Sequence, residues 1–212
     1  MQRKKIVLIG GGGHCKACID VIEQTNSFEI TGVLDQAGLV GTQVLGYAVI
    51  GTDNDISKYN DQGHAFLITV GQIKSSAVRT RLFEQLKACK AELPSIVSPK
   101  AYVSRHAAIG SGTIIMHQAV INAGTRIGQN CIVNTGAAVE HESKIGDNTH
   151  LSTFSVVNGN CSIGDQVFVG SHATVSNGIN IASCSIIGAG AVIIKNIDQP
   201  GTYIGNPARK VS

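Results

Sequence analysis

The sequence predicts an α/β, Rossmann-like amino-terminal domain followed by an all-β parallel β-helix of hexapeptide repeats, on three observations. A β-branched run, Lys5-Ile6-Val7-Leu8-Ile9, leads into Gly10-Gly11-Gly12-Gly13-His14 and a helical stretch through Ile22. From Val97 to Ile193 an aliphatic residue recurs at every sixth position without a miss. Composition agrees with both: 25 glycines, no Trp and 4% aromatic residues suit closely stacked backbone better than a sandwich packed around large rings. With 43% apolar residues the chain can bury more than one core. Its pattern changes near Leu93-Pro94, which divides it into residues 1–93 and 94–212.

In the first part, strand, glycine turn and helix together form a phosphate-binding signature. Glycines let the backbone approach a pyrophosphate, and the free amides of the next helix start favour the anion. A second strand, Glu29 to Leu34, ends at Asp35, whose carboxylate can accept hydrogen bonds from a ribose or a base. A third, Ala65 to Val70, ends at Gly71-Gln72 before a helix running to about Cys89 that carries Arg79 and Arg81. Three strand ends are thus expected to face one crevice. The dinucleotide fingerprint is broken, with Cys15 at its last glycine position, and about 90 residues are too few for the two halves that hold a whole NAD. A nucleotide-linked sugar fits better than NAD.

In the second part, each six-residue unit makes one flat side of a triangular prism, and three units close a coil of eighteen residues. The aliphatic residue points to the axis, and a slip of one residue would turn it outward. Gly110, Gly128, Gly146, Gly164, Gly170 and Gly188 follow it directly. The open ends of such a stack need covers, which the α/β domain and the tail after Asp198 can supply.

Charge and cysteines narrow the function. The formal charge of +3 comes from scattered Lys and Arg, which gives no reason to expect nucleic acid or a membrane surface, and a small anionic ligand suffices. The basic start is followed by only four apolar residues, too few for a signal peptide, and no stretch is long enough to span a bilayer, so a cytoplasmic protein is expected. The six cysteines show no framework spacing. Cys15-Lys16-Ala17-Cys18 could be a redox pair, half a zinc site, or simply small helical residues, and no second pair completes a zinc site. No metal is expected.

Four features together carry a resemblance: the hexapeptide run, the tail Tyr203-Ile204-Gly205-Asn206-Pro207-Ala208-Arg209, Asn134-Thr135-Gly136 followed by His141-Glu142, and the opening Gly12-Gly13-His14-Cys15-Lys16. The chain resembles the bacterial sugar O- and N-acyltransferases related to sialic acid O-acetyltransferase, and most of all those that acetylate nucleotide-linked 4-amino-4,6-dideoxy sugars. The resemblance implies a left-handed β-helix, a homotrimer with sites between subunits, and acetyl-CoA as co-substrate. It makes His141 the general base and Glu142 its acidic neighbour. It places His150 against the acetyl-CoA thioester and Asn134, Gly159, Ser171 and Ala189 along the pantetheine path, while Lys195, Arg209 and Lys210 are basic residues suited to the CoA phosphates. Gly12, Gly13, His14, Asp35, Gln36 and Gly71 would hold the nucleotide-sugar. Gln36 and Gln72 depart from the acidic or shorter residues frequent at those places.

The chemistry of the pair follows from physical principles. An imidazole titrating near neutral pH can take the proton as an amine or hydroxyl attacks a thioester. Glu142 can reach His141 only at a corner or through a water, because neighbouring residues on a strand point opposite ways. One coil before and after His141 stand Ala123 and Gly159, which are expected to leave room for substrate. His141 and His150 lie half a coil apart, so they are expected to converge only between packed subunits. His64, His106, His117 and His172 are expected to be structural or solvated. Sequence does not separate N-acetylation from O-acetylation of sialic acid or a related sugar. A rival of another class is a non-catalytic trimeric scaffold that senses a nucleotide.

Overall fold

The computed structural model describes residues 3–212. The first part is a five-stranded sheet built from β1 (Lys4–Ile9), β2 (Phe28–Leu34), β3 (Gln43–Val44), β4 (Tyr47–Gly51) and β5 (Ala65–Ile68) in the order β3-β4-β2-β1-β5. All neighbours are parallel except the hairpin β3–β4. Helix α1 (Gly13–Thr25) follows the glycine loop, and α2 (Ile56–Asp61) and α3 (Ala77–Ala88) flank β5 in sequence. The first two residues of β1, Lys4 and Lys5, are exposed and its last four are buried, as expected of a central strand whose carboxyl end lies inside the fold. The hairpin and α2 lie where the residues show no strong periodicity.

From Ile96–Val97 to Val192–Ile193 the chain forms strands of two residues, each paired in parallel with the strand eighteen residues away. These strands stack into the three flat sheets of a prism. The second residue of each strand is the aliphatic residue that the six-residue period picks out, and these residues form one continuous core from Ile115 to Ile193. Val97, Val103 and Ile109 of the first coil are only partly buried, because no coil lies beyond them. The corners between sheets turn through left-handed backbone at residues such as Gln118, Asn130, Glu142 and Asn160.

The outward residue of each strand shows what covers each side. On one face the column Ala108, Arg126, Lys144, Ser162 and Asn180 is mostly polar and exposed. On a second, Ile96, Ile114 and Ile132 are at most 1% exposed and join the core made by α1 and β1. The amino-terminal α/β domain is therefore docked on that face. A buried cation strengthens the seam: Arg79 of α3 donates to the carbonyls of Ile68 and Val70 (both 2.8 Å) and to Asn130 through its carbonyl (3.1 Å) and Oδ1 (2.7 Å).

Removing a buried side chain from the prism leaves a void that tight stacking cannot close. Leu151→Ala is expected to cost about 2–5 kcal/mol, and exposed Arg126→Ala less than about 0.5 kcal/mol; urea unfolding of the two variants checks both.

Candidate active site

The carboxyl ends of β1, β2 and β5 converge on one cavity of about 1120 Å³, lined among others by Gly10 to His14, Asp35, Gln36 and Gly71. Strand order explains its position: β2 lies on one side of β1 and β5 on the other, so the chain leaves β1 at a topological switch point, where α/β sheets open a crevice. Gly10, at φ +100°, packs so closely on Val70 that an added Cβ would lie 2.5 Å from its Cγ2. Gly12 and Gly13, at the start of α1, would meet nothing within 4 Å, so the loop leaves open space at the helix amides. Asp35 braces this loop, its Oδ2 accepting from Gly11 N (2.6 Å) and its Oδ1 from Gln36 N (2.7 Å). Gly71 faces His14 across the floor.

His14 lines the cavity and reaches inward, with Nε2 3.4 Å from Cys18 Sγ. Burial, then the Arg79 charge, then His150 push its pKa down to about 3. Cys15 and Cys18 are free and buried, and burial raises both thiols above their ordinary range. The motif therefore serves as small residues at a packed helix start, and reactive-thiol chemistry finds no support there.

His141 and Glu142 occupy a corner of the prism, where Glu142 adopts φ +60°. That turn brings the neighbours together on one side, with His141 Nδ1 3.6 Å from Glu142 Oε2 and side chains 59% and 73% exposed. The geometry corrects one expectation. Gly159 does not leave a gap for substrate, because the His141 ring lies on it: an added Cβ would be 2.7 Å from both Cε1 and Nε2.

The remaining predicted residues separate into groups. Asn134, Ser171 and Ala189 share another corner, between the docked face and the third face, whereas Gly159 sits under His141. Ser171 Oγ pairs with Ser152 Oγ at 3.0 Å. Lys195 and Arg209 are exposed and line a separate cavity of about 210 Å³ beside Tyr203 and Pro207. His150 is 6% exposed, next in the docked column after Ile132, with Nδ1 2.5 Å from the Gln72 carbonyl and Nε2 3.3 Å from Asn134 Nδ2. In this chain its ring is thus occupied by protein partners on both nitrogens. Burial first, then Arg79, hold its pKa down at about 4 against the bond to Gln72. Among the described residues no group of three or more His, Cys, Asp or Glu could hold a metal ion.

Residues 5–86 match the PglD N-terminal domain, and residues 142–177 match the bacterial transferase hexapeptide (six repeats). A histidine-to-asparagine variant of perosamine N-acetyltransferase from Caulobacter crescentus, solved with CoA and GDP-perosamine, is 30% identical over 98% of this chain and 97% of its own, with a TM-score of 0.92. The acetyltransferase domain of PglB from Neisseria gonorrhoeae is 31% identical over 99% of this chain and 100% of its own, with a TM-score of 0.91. The chain belongs to this family of bacterial sugar N-acyltransferases. UDP-N-acetylbacillosamine N-acetyltransferase of Bacillus subtilis is 35% identical over 119 residues, 53% of this chain and 51% of the Bacillus protein. An uncharacterized mimivirus protein aligns over 21% of its length, so the chain spans about half or less of the curated relatives it matches. The family is one of left-handed β-helices, and that is the fold of this chain.

Sequence reasoning missed one feature of this region. Arg79 was legible only as a helical arginine, yet it is the buried cation at the seam. His117 ties the domains together, with Nε2 2.7 Å from Asp20 Oδ2 and Nδ1 2.5 Å from Ser98 Oγ. The outward isoleucines at 96, 114 and 132 carried the available signal, since a free face would be polar. His14 and His150, both lowered from 6.5, stay neutral in the folded chain while the unfolded chain takes up protons below about pH 6.5. Stability should therefore fall as pH drops from about 6.5 to 4. For His150 alone the loss is about 3 kcal/mol, and His150→Gln should flatten that part of a urea-midpoint profile.

Proposed function

We propose that this protein is an acetyl-CoA-dependent N-acetyltransferase acting on the 4-amino group of a nucleotide-linked 4-amino-4,6-dideoxy sugar for surface glycan biosynthesis. One joint observation carries the reading: a nucleotide-sized cavity and an exposed His–Glu corner occur in a chain that matches, end to end, a perosamine N-acetyltransferase solved with CoA and GDP-perosamine. The nucleotide diphosphate lies over Gly12 and Gly13 at the start of α1, with Asp35 and Gln36 toward the ribose and base. His14 and Gly71 line the floor of the same cavity.

His141 is the base. The carboxylate of Glu142 beside Nδ1 favours a proton there and leaves Nε2 to accept from the amine. The amine nitrogen attacks the thioester carbonyl, the N–C bond forms, and the C–S bond breaks as the tetrahedral intermediate collapses. The proton taken by His141 passes to the departing CoA thiolate, which balances the exchange. Gly159 supports the imidazole, and any side chain there would displace it.

The acting unit is a homotrimer. The third face carries the outward column Val120, Ala138, Val156, Thr174 and Val192, apolar but for one residue and half-exposed in the single chain. A soluble prism has reason to cover such a column with another copy. The corners at its two edges are those of Asn134 and His141. Packing this face therefore brings the acyl-CoA path of one subunit, through Asn134, Ser171 and Ala189, toward the base of another. Lys195 and Arg209 then meet the CoA phosphates at the end of the prism.

Thiol release from acetyl-CoA should appear with a GDP-, UDP- or dTDP-linked 4-amino sugar. It should fall at least about 100-fold in His141→Ala and strongly in Gly159→Ala, with nucleotide-sugar binding retained in both. Release only with sialic acid would move the function to O-acetylation, and silence with every acceptor would favour the scaffold.

A further inference from the structure

The nucleotide domain does more at the seam than carry a ligand. Gln72, just past the third strand end, is 3% exposed and turned away from the large cavity. Its side-chain Nε2 donates to the Asn148 carbonyl of the β-helix at 2.9 Å, while its Oε1 is buried without a partner. A residue that merely filled space would not bury an unsatisfied oxygen, so this one is held for its bonds. Its carbonyl faces His150 Nδ1 at 2.5 Å. A carbonyl only accepts, so Nδ1 carries the proton and Nε2 of the neutral ring presents a lone pair.

That lone pair faces Asn134 Nδ2 at 3.3 Å. Asn134 Oδ1 accepts from Thr135 N at 2.8 Å, which turns the amide NH₂ toward the ring. One of its two hydrogens goes to His150, and the other has no partner among the described residues, on a side chain that is half-buried.

We propose that the nucleotide domain reaches into the acyl-transfer site through Gln72, whose carbonyl fixes the His150 tautomer so that His150 orients Asn134 to donate its free N–H to the acetyl carbonyl of acyl-CoA. The inference rests on the acetyltransferase reading. It makes Asn134 the group that touches the reacting atoms, and His150 and Gln72 positioning residues. An oxyanion donor must be fixed before the charge develops, and a relay anchored on buried backbone does that. A protonated His150 would set an N–H against the Asn134 NH₂, so the depressed basicity of the ring agrees with the arrangement.

The test is ¹⁵N NMR of histidine-labelled full-length protein without substrate, alongside steady-state kinetics. Wild-type His150 should be protonated at Nδ1 and bare at Nε2. Asn134→Asp keeps the shape but puts a carboxylate against Nε2, so His150 should become doubly protonated and kcat should fall about 100-fold with KM for the nucleotide-sugar unchanged. Gln72→Ala should mix the two tautomers and lower kcat about 10-fold, again without a change in that KM. A wild-type ring protonated at Nε2, or an Asn134→Asp enzyme turning over at the wild-type rate, would overturn the proposal. His141→Ala separates the two levels: full turnover in that variant would remove the base assignment, while the His150 tautomer, read without substrate, still decides the relay.

Discussion

An eighteen-residue coil governs where every side chain of the carboxy-terminal half can go. Because each strand has only two residues, one must face the axis and the other must face out. Residues eighteen apart then form vertical columns, and each column has a single environment. The inward columns are aliphatic because nothing else fits, and one buried Val or Ile contributes roughly 1.5–3 kcal/mol before ordering costs. The outward columns are free to differ, and their differences divide the prism into a polar face, a docked face and an apolar half-exposed face. The same register places the candidate site, since the corners at the edges of the apolar face carry His141 and Asn134.

Docking of the amino-terminal domain depends on that register as well. Ile96, Ile114 and Ile132 present a flat apolar strip to α1 and β1, and the strip ends where the column passes from isoleucine to His150. Polar contacts take over beside it: Gln72 to Asn148, Arg79 to Asn130, and Ser76 to Gln166 at 3.0 Å. Apolar burial supplies most of the adhesion, while the directional bonds fix the angle at which the strand ends meet the prism. A seam of isoleucines alone would hold the domains together without setting that angle.

How much of this was legible in the sequence depended on whether a feature was periodic. The inward positions from Val97 to Ile193 were visible because a one-residue slip would reverse every side chain. The first strand, the glycine loop and the convergence on a crevice were visible because a buried strand and a phosphate turn each need a narrow set of residues. The hairpin Gln43–Val44 with Tyr47–Gly51 was not, since two short strands at a sheet edge leave no pattern longer than their turn. At the site, His141 and Glu142 were chosen from a resemblance, and their meeting at a corner followed from strand geometry. The Gly159 expectation missed because a column tells which residues are stacked but not which side chain fills the space between them. His150 and Gln72 meet across 78 residues, and nothing local in the sequence records such a contact.

Arg79 explains why the enclosed histidines remain useful acceptors. A buried guanidinium would ordinarily be matched by a carboxylate, yet its partners here are three backbone carbonyls and the side-chain oxygen of Asn130. Those dipoles accept from its two terminal nitrogens, while Nε stays buried without a partner, and they do not cancel its charge, so a positive potential persists around His14 and His150 and adds to burial in opposing their protonation. A carboxylate at the same place would stabilise imidazolium instead and turn each accepting lone pair into a donor. The choice of neutral partners for one arginine thus keeps both rings neutral down to acidic pH. The accepting nitrogens of His14 and His150 are thereby kept available beside Cys18 and Asn134, apart from the exposed His141, which stands at its own corner beside Glu142.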